Sequence, residues 1–153
     1  MAQEFKGWPH LLLSGFGCSG IGRKHLSDLD FIYEFLYALP EKIGMQRLGT
    51  PNVEKVSEKN HVDPGVTGMV IIYTSHISIH TFTKGQKDGK RKPRNLDLNI
   101  HKPFFTADVY SCKEFDHEEA IEQFVKSFRP KYLEKNMIYR LREDPDLIEV
   151  ERL

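Results

Sequence analysis

Apolar residues recur at helical spacing between Leu29 and Leu39, with Leu29, Ile32, Tyr33, Leu36 and Leu39 on one face. Ser27 suits the N-cap of this predicted helix, Asp28 and Asp30 suit its first turn, and Pro40 lies near its end. Its aromatic residues read as core. A second helix is predicted from Asp116, with Glu119 three residues on in a capping-box pattern. Ala120, Ile121, Phe124, Val125 and Phe128 form its apolar face, and Pro130 ends it.

Outside the helices the period changes to that of strands. His10 to Ser14 carries the run Leu11-Leu12-Leu13 and reads as a buried strand. Gly15, Gly17, Gly20 and Gly22 then predict a loop, at a spacing that does not match a dinucleotide fingerprint. Asn52 to Ser57 is a weaker strand, supported by Val53 and Val56. After the turn signal Asp63-Pro64-Gly65, residues Val66 to Tyr73 form a β-branched, buried strand. Thr74 and Ser75 interrupt the apolar pattern. From His76 to Phe82 positions alternate, with Ile77 and Ile79 on one face and His76, Ser78 and His80 on the other. Residues 84–103 read as a long loop, Phe104 to Ser111 as a strand, and Met137 to Leu141 as a last strand. Two helices and about six strands predict an α+β fold, a two-layer sandwich of an antiparallel sheet with helices packed on one face. Nothing marks a second domain or a repeat, so residues 1–153 read as a single domain.

Composition narrows the function. Twenty-two Lys and Arg balance 22 Asp and Glu. A neutral chain argues against a general nucleic-acid or anionic-membrane binder. The basic stretch Lys84 to Arg94 is short and lacks interleaved aromatics, so no nucleic-acid partner is expected. No apolar run approaches the roughly 18 residues of a membrane span, and the first residues lack a signal-peptide pattern. The expected location is the cytoplasm, with Cys18 and Cys112 as free thiols. The seven histidines and two cysteines show no metal-ligand spacing, and no metal is expected.

Three features carry possible chemistry: Ser75 at the strand break, His80 on the polar face just downstream, and Cys112 at the end of a later strand. Serine, histidine and cysteine serve nucleophilic and proton-transfer reactions. The same residue types also describe a surface serine, a satisfied core histidine and an inert thiol.

The string from Gly65 to Phe82, with Thr74-Ser75-His76 at its centre and Ile79-His80-Thr81-Phe82 at its end, resembles the processing segment of the prokaryotic S-adenosylmethionine decarboxylases. Ala107 to Cys112 resembles the family strand that ends in the catalytic cysteine, and the similarity runs from about residue 8 to 142. The resemblance implies that Ser75 attacks the Thr74 carbonyl, that the chain splits between 74 and 75, and that Ser75 becomes a covalent pyruvoyl group. The pyruvoyl ketone would form a Schiff base with an amino-acid-type substrate and serve as electron sink for decarboxylation. By the same carry-over, His80 removes the α proton during processing, Thr67 stands where a supporting serine is usual, and Cys112 protonates the carbanion. The implied reaction is decarboxylation of S-adenosylmethionine for spermidine synthesis, in a dimer of processed protomers that share residues around each pyruvoyl group. Two other readings stay open: a pyruvoyl-dependent decarboxylase of ornithine or arginine, and an unprocessed regulatory relative.

Three departures bear on the substrate. Thr74 stands where the family usually has glutamate. Thr83 and Lys84 follow Phe82 where proline and the ribose-binding glutamate are usual, and a lysine cannot accept the ribose hydroxyls. The Val62-Asp63-Pro64 turn lacks an adenine-stacking aromatic, which leaves Phe104 and Phe105 as candidates. The 84–103 insertion is also longer than the usual hairpin.

Overall fold

A computed structural model of the chain describes residues 6–60, 63–86, 100–142 and 152. The elements run β1 (Trp8–Phe16), α1 (Gly20–His25), α2 (Leu29–Lys42), β2 (Asn52–Val56), β3 (Gly65–Ile72), β4 (Ser75–Phe82), β5 (Phe104–Tyr110), α3 (His117–Phe128) and β6 (Tyr132–Arg140). Among the described residues the strands form one antiparallel sheet in the order β2-β3-β4-β5-β1-β6. This is the predicted α+β sandwich.

Alternation and register decide which side chains meet the helices. Val70, Ile77, Val109, Leu11 and Met137 lie in one cross-strand row, and residues directly opposite share a face. That face packs with Ile32, Leu36 and Leu39 of α2 and Ala120, Phe124 and Phe128 of α3 in one buried cluster. Each such fully buried apolar side chain contributes roughly 1.5–3 kcal/mol. The other sheet face is left without helices and holds His10, His76, His80, Asp108 and Tyr110.

Three local expectations need correction. Asp28, not Ser27, caps α2 and accepts from the Phe31 N–H at 3.0 Å. Ser27 instead donates to the Lys24 carbonyl at 3.1 Å, because the preceding segment is itself helical. The expected glycine loop contains α1, and a Cβ at Gly22 would run into the Phe128 carbonyl. Only a glycine there lets α1 lie against the end of α3. The last strand spans nine residues, Tyr132 to Arg140, because it pairs with the whole of β1. Its polar first half, including Glu134 and Lys135, hid it from apolar pattern reading: it is an edge strand with little to bury. The predicted capping box at α3 is half formed. Asp116 accepts from the Glu119 N–H at 3.0 Å, while the Glu119 side chain accepts from Gln123 at 2.6 Å.

Candidate active site

The β3–β4 hairpin turns through two residues, Tyr73 and Thr74, between the paired residues Ile72 and Ser75. Ser75 opens β4 on the helix-facing side and is 7 % exposed. The pairing of His76 with Tyr110 carries Cys112, two residues beyond, alongside the turn. The Cys112 backbone N–H donates to Ser75 Oγ at 3.0 Å, and Cys112 Sγ lies 2.7 Å from Thr74 Oγ1. One residue therefore touches both sides of the Thr74–Ser75 bond. Cys112 is itself anchored through Ser111. The Ser111 N–H donates to the Pro9 carbonyl at 3.0 Å, and Ser111 Oγ bridges Lys113 by donating to its carbonyl and accepting from its N–H.

Thr67 and His80 form a second cluster. They face each other across β3 and β4, with Thr67 Oγ1 3.1 Å from His80 Nδ1. The threonine hydroxyl thus reaches the imidazole. Five residues of strand separate His80 from Ser75, about 17 Å at the usual rise, and an odd offset places them on opposite faces. The fold brings Thr74, Ser75 and Cys112 together and Thr67 and His80 together. It does not bring the two groups together within one chain.

Sequence reading missed a third group, on the open face near the hairpin end. Tyr110 packs against His10 and His76 with ring centroids 5.6 Å away in each case, and the Arg140 guanidinium lies 4.5 Å from its centroid. His10 Nε2 is buried without a hydrogen bond, 3.8 Å from Asp108 Oδ1. Burial lowers the His10 pKa most, Asp108 raises it, and Arg140 and His76 lower it further. No spacing along the chain relates these residues; only the order β4-β5-β1-β6 sets them side by side. Met69, Ile71 and Ile138 leave exposed apolar surface on the same face.

The substrate-contact candidates fare differently. Phe105 is fully buried in the core, and Phe104 is buried and stacked on Phe82 at 4.3 Å and on Phe16 at 5.6 Å. Neither ring has a free face for adenine. Lys84 follows the far end of β4 from Ser75 and pairs with the Glu58 carboxylate. It lines a cavity of about 580 Å³ with Arg23, His101, Lys102 and Lys131. A second cleft, of about 710 Å³, adjoins the Tyr73–Thr74 turn and is lined by Tyr37, Glu41, Arg47, Tyr73 and Lys113 among others. Most of the 84–103 insertion, residues 87–99, lies outside the described residues. Its base is closed by the Gln86 N–H donating to the Ile100 carbonyl at 2.6 Å.

The two thiols differ in reactivity. Cys18 is buried, and desolvation pushes its pKa up to about 12. Cys112 is partly exposed. Burial therefore keeps Cys18 in the thiol form at pH 8, and the thiolate is the reactive form. Iodoacetamide is therefore expected to modify Cys112 at least tenfold faster than Cys18 in the native protein, as read by peptide mass. Equal rates would mean that the Cys18 pocket opens freely.

Among the described residues no group of three or more His, Cys, Asp or Glu is placed to hold a metal ion, and no helix is long and apolar enough to cross a membrane.

An antiparallel α+β sandwich of this kind is also the fold of the adenosylmethionine decarboxylase crystallised from Aquifex aeolicus, with a TM-score of 0.64 and 19 % identity over 91 % of this chain and 96 % of that one. The S-adenosylmethionine decarboxylase family profile matches residues 9–141, and the chain belongs to that family. It is 32 % identical over 139 residues to the S-adenosylmethionine decarboxylase proenzyme of Thermococcus gammatolerans, covering 90 % of this chain and 79 % of the relative. The proenzyme of the same name from Pyrococcus abyssi is 27 % identical over 139 residues, covering 90 % of this chain and 81 % of the relative. That of Clostridium botulinum (strain Loch Maree) is 25 % identical over 147 residues, covering 95 % and 96 %.

Proposed function

We infer that this chain is the precursor of a pyruvoyl-dependent S-adenosylmethionine decarboxylase that cleaves itself between Thr74 and Ser75. The observation that carries the reading is the position of Cys112, which contacts the Ser75 hydroxyl and the Thr74 hydroxyl at once. Ser75 Oγ attacks the Thr74 carbonyl carbon, the peptide C–N bond breaks, and an ester joins the two residues. His80 then takes the α proton of residue 75, the Thr74 carboxylate leaves, and a dehydroalanine remains. Water converts it to a pyruvoyl group and releases ammonia.

The residues around position 75 fit such a group. Its carbon atoms would come from Ser75, while Ser75 Oγ departs with the Thr74 carboxylate and water supplies the ketone oxygen; the Cys112 thiol, held at the same turn, would stand near it as a proton source. When present, the ketone supplies an electron sink for decarboxylation. Cys112 delivers the proton that replaces the lost carboxylate.

The separation of Thr67 and His80 from Ser75 favours a dimer. A second copy packed on the open sheet face would cover Met69, Ile71 and Ile138 and supply His80 to its partner's cleavage site. The family names make S-adenosylmethionine the first substrate to test, and nothing in the structure favours ornithine or arginine. The ribose carboxylate missing at Lys84 has no replacement at that position, where Lys84 is committed to Glu58. Two free cysteines suit a reducing cytoplasm.

The test is carbon dioxide release from S-adenosylmethionine, ornithine, arginine and lysine, with intact mass taken on the same sample. Release from S-adenosylmethionine by a two-fragment protein is expected. Cys112→Ala should still cleave but lose about a hundredfold or more in turnover, the scale of one general acid. Activity confined to ornithine or arginine would overturn the substrate. A single full-length chain after long incubation would overturn the mechanism.

A further inference from the structure

The turn before the scissile bond is strained. Two-residue hairpin loops need a positive φ at their first or at both positions, and glycine, asparagine or aspartate normally supplies it. Here the first loop residue is Tyr73, with a φ of 38°. Bulky side chains rarely take that conformation, which crowds Cβ against the backbone. The ring gives no visible return: Tyr73 is 54 % exposed and stacks on no other aromatic ring among the described residues.

The surroundings keep the turn from relaxing. Upstream, the Leu48 N–H donates to the Ile71 carbonyl at 2.8 Å. Downstream, Cys112 holds Thr74 at 2.7 Å and Ser75 at 3.0 Å. The register on either side is closed by the Ile72–Ser75 pair. A residue kept in a sparsely populated region by contacts on both sides is where backbone strain persists, and such sites cluster where strain is used.

We propose that Tyr73 is a positioning residue for self-cleavage, its left-handed backbone holding the Thr74–Ser75 amide under strain that the N-to-O acyl shift releases. The inference rests on the reading that this bond cleaves itself. When Ser75 Oγ adds to the Thr74 carbonyl, the planar amide becomes tetrahedral. The ester that follows rotates more freely than the amide it replaces. Once the Thr74 carboxylate departs, residue 73 is one position from a chain end and can return to negative φ. Strain present in the amide and lost along the path speeds the first step and opposes its reversal. The effect belongs to the backbone of residue 73 and not to its ring.

Three substitutions separate backbone from ring. Tyr73→Asn and Tyr73→Gly tolerate positive φ and relieve the strain, whereas Tyr73→Ala removes the ring but keeps the steric conflict. Cleavage of freshly refolded precursor, followed by intact mass, is expected to slow about fivefold or more for Asn and Gly. It should stay within about twofold of wild type for Ala. In the uncleavable Ser75→Ala background, Tyr73→Asn should raise the melting temperature by about 2–4 °C. Faster unfolding with slower cleavage would mark ordinary damage; higher stability with slower cleavage marks released strain. Unchanged cleavage with Asn and Gly, or an equal loss with Ala, would overturn the proposal. The melting arm does not depend on cleavage, so an unchanged melting temperature overturns the strain even if wild type never cleaves. Failure of wild type to cleave would count against Ser75 processing itself.

Discussion

Ser75→Ala is expected to leave all 153 residues in one chain and to remove decarboxylase activity. Alanine has no oxygen to attack the Thr74 carbonyl, so neither the ester nor the ketone can form. Without a ketone the substrate amine has no covalent partner, and the electrons of the broken C–C bond have nowhere to go. The loss should reach at least about a millionfold, the lower end of enzymatic acceleration. The fold should survive. Ser75 is 7 % exposed, and its hydroxyl accepts one N–H from Cys112. Leaving that donor without a partner costs about 1–3 kcal/mol. A melting temperature a few degrees lower, with an unchanged circular dichroism spectrum, would separate lost chemistry from lost structure. Intact mass decides the matter. Two fragments divided before residue 75 in the alanine variant would exclude Ser75 as the nucleophile.

Two inactive variants are expected to recover cleavage when mixed. His80→Ala should stall at the ester, so that hydroxylamine cuts it, while Ser75→Ala cannot begin. His80 sits on the open face about 17 Å of strand from Ser75, too far to reach it within one chain. In a mixed dimer the His80→Ala chain keeps its own Ser75 and borrows His80 from its partner. Co-expressed in equal amounts and paired at random, about half of the His80→Ala chains should sit in mixed dimers and be cleaved. Light scattering should report a dimer. Mixed dimers purified with two affinity tags that still show no cleavage would mean that His80 acts within its own chain or not in processing at all. A fully active monomer would refute the shared site outright.

Much of the molecule is dictated locally. Alternation from His76 to Phe82 assigns Ile77 and Ile79 to the core and His80 to the far face, because strand side chains must alternate. The apolar faces of α2 and α3 follow from helical period in the same way. The string around Thr74 and Ser75 is contiguous, so the proposed cleavage site and its candidate nucleophile can be named from the chain alone. The same holds for Cys112 as a candidate, but not for what it touches.

Pairing decided the rest. Ser75 and Cys112 lie 37 residues apart, and only the alignment of β4 with β5 joins them. The group at His10, His76, Tyr110 and Arg140 needs four strands in order, which no single segment encodes. Phe104 and Phe105 looked available for a ligand, but burial depends on what packs opposite: Phe82 and Phe16 in one case, α3 in the other. β6 was half hidden because an edge strand is specified by its partner's hydrogen bonds more than by its own side chains. Tyr73 is the reverse case: nothing in its residue type predicts a positive φ, which appears only in the folded backbone. Local sequence thus determined most element types, their facing and the residue types at the proposed cleavage site. Which functional groups meet was settled by strand order and register, since those contacts are made across the sheet and not along the chain.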